Sequence, residues 1–117
     1  MKKCVMKLNG GKEISIMSNA VFSNTYKLND GVSVSDFLLA IEKLVKEYVS
    51  KQNGYVSFQL LTQGDTWADS VTFETMDNLN AFLKSSQNDK NELAEMFYSF
   101  LNFDTCKSNI YSVVQNY

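Results

Sequence analysis

The chain has 117 residues, 44% of them hydrophobic and 21% charged, with a net charge of -2. That is enough for one core and too little for two, with no basic footprint for nucleic acid. All 11 basic residues are Lys, and His, Arg and Pro are absent, which excludes a histidine base, a His-ligated zinc or haem, and an Arg clamp on phosphate or carboxylate within one chain.

Taken in order, the β-prone runs at residues 5–8 and 14–17 flank Asn9-Gly10-Gly11-Lys12, and Asn-Gly predicts a small leading hairpin. The next strand, residues 20–28, puts Phe22, Asn24, Tyr26 and Leu28 on one face and Val21, Ser23, Thr25 and Lys27 on the other, before Asn29-Asp30-Gly31 breaks it. Ser33 or Ser35 caps a helix over residues 36–50 that closes at Asn53-Gly54. Its apolar stripe is Phe37, Ile41, Leu44 and Tyr48, flanked by Leu38, Val45 and Val49. Glu42-Lys46 and Glu47-Lys51 are i,i+4 pairs on the wet side, read as a solvated face.

Residues 55–74, YVSFQLLTQGDTWADSVTFE, read as two strands joined at Gly64-Asp65. Pairing Gln63 with Thr66 collects Val56, Phe58, Leu60, Trp67, Asp69, Val71 and Phe73 on one face, apolar but for the single acid. Asp69 is the residue that needs a reason. Thr75 then caps a short helix with Met76, Leu79, Phe82 and Leu83 inward, and residues 85–88 interrupt it. Asp89 with Glu92 resembles a capping box for a second piece carrying Leu93, Met96, Phe97 and Phe100, a stripe read as core. A last strand is predicted around residues 107–114.

Cys4 and Cys106 lie far apart and match no ligand spacing, so they read as reduced thiols acting as small apolar side chains. No carboxylate cluster has the spacing of a metal site, and neither metal nor cofactor is expected. No apolar run is long enough for a signal peptide or a bilayer span, so a cytoplasmic protein without a membrane partner is expected.

Without the leading hairpin (residues 1–19), the order over residues 20–117 is strand, helix, strand, strand, helix, strand. Right-handed crossovers make this an α+β, ferredoxin-like domain: a four-stranded antiparallel sheet with helices on one face. The bare face predicts a homodimer.

The stretch YKLNDGVSVSDFLLAIEKLVKEYVSKQNGYVSFQLL followed by TWADSVTFETMDNLNAF resembles the dimeric α+β barrel superfamily that includes antibiotic biosynthesis monooxygenases, over roughly residues 21–114. The resemblance implies a ligand cavity between the sheet and its own helices. It also implies roles for Asn24 and Trp67, which are similar to a strand-borne Asn and Trp that hold substrate and activate oxygen. Haem-degrading members add a His, which this chain lacks.

The reading that follows is a cofactor-independent monooxygenase-like protein acting on a small phenol or hydroquinone. Asp69, raised in pKa by its apolar wall, would be the base; Trp67 would stack on the ring, and Asn24 and Tyr26 would donate to the oxyanion. Phe22, Phe58, Val71 and Phe73 would form the apolar walls. The alternative is a non-catalytic dimeric barrel that binds a small apolar molecule in the same pocket. The plainer alternative is that Asp69 hydrogen-bonds a neighbouring backbone amide or lies at the sheet rim, that Trp67 closes the open end of the core, and that Asn24 is a satisfied buried amide.

Overall fold

Gly64 takes φ +60°, a conformation open to glycine at little cost, and this lets Gln63 pair with Thr66 across the turn. In the computed structural model, which describes residues 5–8, 12–15 and 18–117, the elements are β1 (Val5–Leu8), β2 (Lys12–Ser15), β3 (Ala20–Leu28), α1 (Val34–Glu47), β4 (Tyr55–Gln63), β5 (Thr66–Phe73), α2 (Met76–Asn88), α3 (Glu92–Ser99) and β6 (Leu101–Ser112). Strands β4-β5-β3-β6 form one antiparallel sheet in that order. Each crossover skips one strand, the first through α1 and the second through α2 and α3, which is the ferredoxin-like arrangement. β1 and β2 pair antiparallel as a separate hairpin, while its turn at Asn9-Gly10-Gly11 and Cys4 lie outside the described residues.

Strand alternation decides what the helices cover. The fully buried side chains Tyr26, Phe37, Phe73 and Leu79 come from β3, α1, β5 and α2. Phe37 sits at the centre, with rings of Tyr26, Trp67, Phe97 and Phe100 all within 6.3 Å of its own. The opposite sheet face carries Leu61 and Tyr111, each 54% exposed, and among the described residues no helix covers it.

Several boundaries differ from the sequence reading, each for a local reason. A bulge between Tyr55 and Ser57 shifts the β4 register, so that Tyr55 opposes Phe73 and packs on it at 6.5 Å. Val56, expected inward, is 46% exposed instead. Ser33 is the α1 cap, its hydroxyl accepting from the Asp36 N–H at 3.2 Å. The helix stops at Glu47 and a 3₁₀ turn, Val49–Lys51, follows. Glu42 and Lys46 therefore pair at 2.6 Å, whereas Glu47 and Lys51 fall on different elements.

Residues 85–88 continue α2 rather than interrupting it, because polar residues without Gly or Pro do not stop a helix. Asp89 ends α2, accepting from the Ser85 hydroxyl at 3.0 Å, and Asn91 is the true cap of α3, accepting from the N–H groups of Leu93 and Ala94. Leu38 and Met96, expected inward, are exposed. β6 begins at Leu101, well before residue 107: Asn29 donates from its backbone to Phe100 and from its side chain to Leu101, which ties the start of β6 to the end of β3. Residues 103–106 then bulge out between the two paired stretches of β6.

Candidate functional site

Register builds the polar centre of the site. Asn24 on β3 lies directly opposite Asp69 on β5 and, on its other side, opposite Ser108 on β6. Residues directly opposed across a sheet share a face, so the three form a polar row across three strands on the helix side. The Asn24 amide Nδ2 donates to Asp69 Oδ1 at 3.0 Å, and the Ser108 hydroxyl donates to Asn24 Oδ1 at 2.5 Å. Tyr26, two residues along β3, donates its hydroxyl to Asp69 Oδ2 at 2.7 Å. Both carboxylate oxygens thus receive a donor. An ionised carboxylate only accepts, so this pattern fixes the orientation of the Asn24 amide.

Asp69 is 4% exposed. Burial pushes its pKa above the ordinary carboxylate value, and the hydrogen bonds from Asn24 and Tyr26 pull in the opposite direction without cancelling the effect. The Tyr26 hydroxyl is held protonated far beyond its usual range by burial first, then by the charge of Asp69 and the hydrogen bond to it. The carboxylate is therefore the group of this pair that gives up its proton first. Burial and the same charge also raise the Cys106 thiol, which keeps it a poor nucleophile.

Above this row lies a cavity of about 420 Å³. Its floor is Phe22, Asn24, Tyr26, Phe58, Asp69 and Val71 from the sheet, and its roof comes from the end of α1, from α2 and from α3. The bulge of β6 brings Phe103 and Cys106 to its side. At the rim stand Tyr98 and Phe103, 46% and 63% exposed, with their rings 6.1 Å apart. An apolar chamber with a few convergent polar groups and one perturbed carboxylate is what a small-molecule site looks like.

Six of the eight residues singled out from the sequence line this cavity: Asp69, Asn24, Tyr26, Phe22, Phe58 and Val71. Trp67 and Phe73 do not. Trp67 packs edge-on against Phe37 at 5.1 Å, and that ring fills the space a substrate would need in order to stack on the indole. Phe73 is sealed beneath Phe82 at 5.2 Å. Asn24 and Tyr26, expected to donate to a substrate oxyanion, spend the hydrogen bonds described above on Asp69; Asn24 retains a second amide hydrogen. Sequence reasoning missed Ser108, Tyr48, Tyr98 and Phe103. Only Ser108 had a usable signal, its place in an alternating strand, and that signal needed the β3–β6 register. Among the described residues no group of three or more Cys, Asp or Glu could hold a metal ion.

No protein-family model and no curated protein matches the sequence. Solved structures do. The cofactor-independent oxygenase SnoaB from Streptomyces nogalater aligns with a TM-score of 0.67 at 15% identity, over 85% of this chain and 96% of that one. An inferred antibiotic biosynthesis monooxygenase from Caulobacter crescentus CB15 aligns at 0.65 and 12% identity, over 85% and 92%. A dimeric protein of unknown function and ferredoxin-like fold from Bacteroides fragilis NCTC 9343 aligns at 0.56 and 14% identity, over 81% and 96%. At these identities the likeness establishes the fold.

Proposed function

We propose that this chain, which shares the ferredoxin-like fold of the antibiotic biosynthesis monooxygenase-like structures, is a cofactor-independent oxygenase acting on a small phenol or hydroquinone bound over Asp69. The observation that carries the reading is a buried carboxylate with raised proton affinity, held by two donors, on the floor of an apolar cavity. Each Asp69 oxygen keeps a second acceptor site, and Asp69 lines that cavity.

The reaction balances without a cofactor. Asp69 takes the phenolic proton, and the phenolate passes one electron to dioxygen, giving a phenoxyl radical and superoxide. The two combine at a ring carbon to form a C–O bond, and Asp69 returns its proton to the peroxide. Loss of the ring C–H proton with cleavage of O–O releases water and leaves a second carbonyl. Phenol plus dioxygen thus becomes quinone plus water, with four electrons leaving the ring and four reducing oxygen. The roles supported here are Asp69 as base, Asn24 and Tyr26 as the groups that orient it, and Phe22, Phe58 and Val71 as walls. Trp67 and Phe73 act only by packing behind them.

The bare sheet face with Leu61 and Tyr111 supports a second copy of the chain as a partner, and sedimentation of the purified protein at two concentrations tests it. Among the described residues no helix is long and apolar enough to cross a membrane; a cytoplasmic setting belongs to the same proposal.

The test is oxygen uptake with a panel of phenols and hydroquinones, alongside quinone formation followed by absorbance. Asp69→Asn should lower kcat by about a hundredfold or more, the range of general-base catalysis, while ligand affinity stays within a few fold. If ligands bind and neither oxygen uptake nor quinone is seen above the Asp69→Asn background, the chain is a binding barrel without catalysis.

A further inference from the structure

The cavity holds one acidic side chain and nothing to balance its charge. Asp69 is 4% exposed, and among the described residues no lysine lines the chamber around it. Lys27, the lysine of β3, pairs instead with Asp65 at 3.4 Å. The titratable groups that feel the Asp69 charge are Tyr26, Tyr98 and Cys106, from β3, α3 and β6; each is pushed upward by burial and by that charge, and so stays neutral. Buried carboxylates are ordinarily paired with a cation or a metal. Here two neutral donors hold the group, and they leave the cost of burial uncancelled.

The polar row itself does not need the charge. An asparagine in place of Asp69 would accept from Tyr26 and donate to an Asn24 amide turned over, whose nitrogen would then donate to the Ser108 hydroxyl. Strand register would seat that row equally well. The lining shows what would use a negative charge at this place. Among the described residues that line the cavity eight are aromatic, including Phe22, Tyr26 and Phe58 on the floor and Phe97, Tyr98 and Phe103 above and beside it. Ring faces carry partial negative charge and attract cations. A desolvated carboxylate among such rings favours an organic cation and repels an anion.

We infer that the cavity binds primary arylalkylamines in their ammonium form, with the ammonium N–H groups on the free acceptor sites of Asp69 and the arene among the aromatic walls. This rests on the cavity over Asp69 described under the proposed function and is independent of its oxygen chemistry. It adds a ligand class of opposite charge to a phenolate. The ammonium occupies the carboxylate that a phenol must find free, so the amine competes with the phenol and blocks proton transfer from it.

The experiment is calorimetric binding, under nitrogen so that no turnover interferes, of naphthylmethylamine, naphthylmethanol, naphthoate and naphthol to the native chain and to Asp69→Asn. Near pH 8 the native chain should bind the amine about tenfold or more tightly than the alcohol of the same shape, and naphthoate more weakly than either. In Asp69→Asn the preference for the amine should vanish while the alcohol stays within a few fold. On the native chain alone, lowering the pH to about 4 should erase most of the preference, because the carboxyl takes up a proton while the amine keeps its own; this arm holds even where the variant fails to fold. Equal affinity for amine and alcohol, a preference that survives Asp69→Asn, or one that ignores pH overturns the inference. If naphthol binds and the amine does not, the inference falls and the site reading stands; if no probe binds, both fall. The expected preference without oxygen uptake from any phenol would uphold the cation site and remove only the oxygenase chemistry.

Discussion

Tyr26→Phe isolates the contact on which the site depends. The substitution keeps the ring, and with it the edge-on packing against Phe37 and Phe97 at 6.3 and 6.0 Å, and deletes only the hydroxyl that donates to Asp69 Oδ2 at 2.7 Å. A buried hydrogen bond to a charged group is worth about 1.5–3 kcal/mol, and one to a neutral group about 0.5–1.5 kcal/mol. The loss should therefore depend on whether Asp69 is ionised. Because its folded-state pKa lies above the ordinary value, the stability it contributes is fully present in acid, below the unfolded-state pKa, and is lost as pH rises through the folded-state pKa. Removing one of the two donors raises that folded-state value further, so the variant loses more, over a window that extends to higher pH.

Urea unfolding should accordingly show a deficit of about 1 kcal/mol near pH 3, growing to about 2–3 kcal/mol near pH 8. The larger figure corresponds to a thermal midpoint lower by roughly 6–12 °C for a domain of this size. In turnover, the acid limb of the rate profile should move to higher pH. A deficit that is the same at both pH values, or below about 0.5 kcal/mol at the higher one, would refute a charge-assisted bond to Asp69.

Filling the chamber separates binding from folding. Ala94 lines the cavity from α3, so Ala94→Phe should lower arene affinity at least tenfold while the urea midpoint holds or rises, since the new ring enters empty space rather than a packed core. The two positive-φ glycines around the central hairpin should respond unequally. Gly54 has φ +80° and a Cβ there would fall 2.4 Å from the Asn78 side chain, whereas Gly64 at φ +60° has open space. Thermal unfolding should show Gly54→Ala costing clearly more than the roughly 1 kcal/mol of left-handed strain expected for Gly64→Ala. Swapping the Ser33 cap for Ala removes the acceptor for the Asp36 N–H and should cost about 1 kcal/mol.

The strands and the two main apolar faces were legible because period-2 alternation and the Gly64 turn act locally and agree with each other. The even-numbered face of β3 and the Gln63–Thr66 pairing follow from the sequence alone. Features that depend on partners were not legible. The Tyr55 bulge exchanges which of two adjacent residues faces the core, and nothing in Tyr-Val-Ser announces it. The start of β6 reads as polar loop, and becomes strand only because Asn29 ties Phe100 and Leu101 to β3.

The site followed the same division. Asp69 stood out as an acid on an apolar face, and Asn24 as an amide between Phe22 and Tyr26. That they meet each other, with Ser108 completing the row, is a matter of register between strands more than forty residues apart in sequence. Trp67 shows the converse: it lies on the expected face, yet Phe37 from α1 occupies the place in front of it, and a strand pattern cannot show which helix residue will fill which space.

The most direct measurement is a carbon-13 NMR titration of the Asp69 carboxyl, assigned by its absence from the Asp69→Asn spectrum, in the free chain and with naphthohydroquinone added under nitrogen. The expected midpoint in the free chain lies above the ordinary carboxylate value, and the resonance should change clearly when the arene binds. A midpoint at or below the ordinary value, or a resonance that ignores saturating arene, would contradict the claim that Asp69 is the proton acceptor at the floor of the ligand cavity.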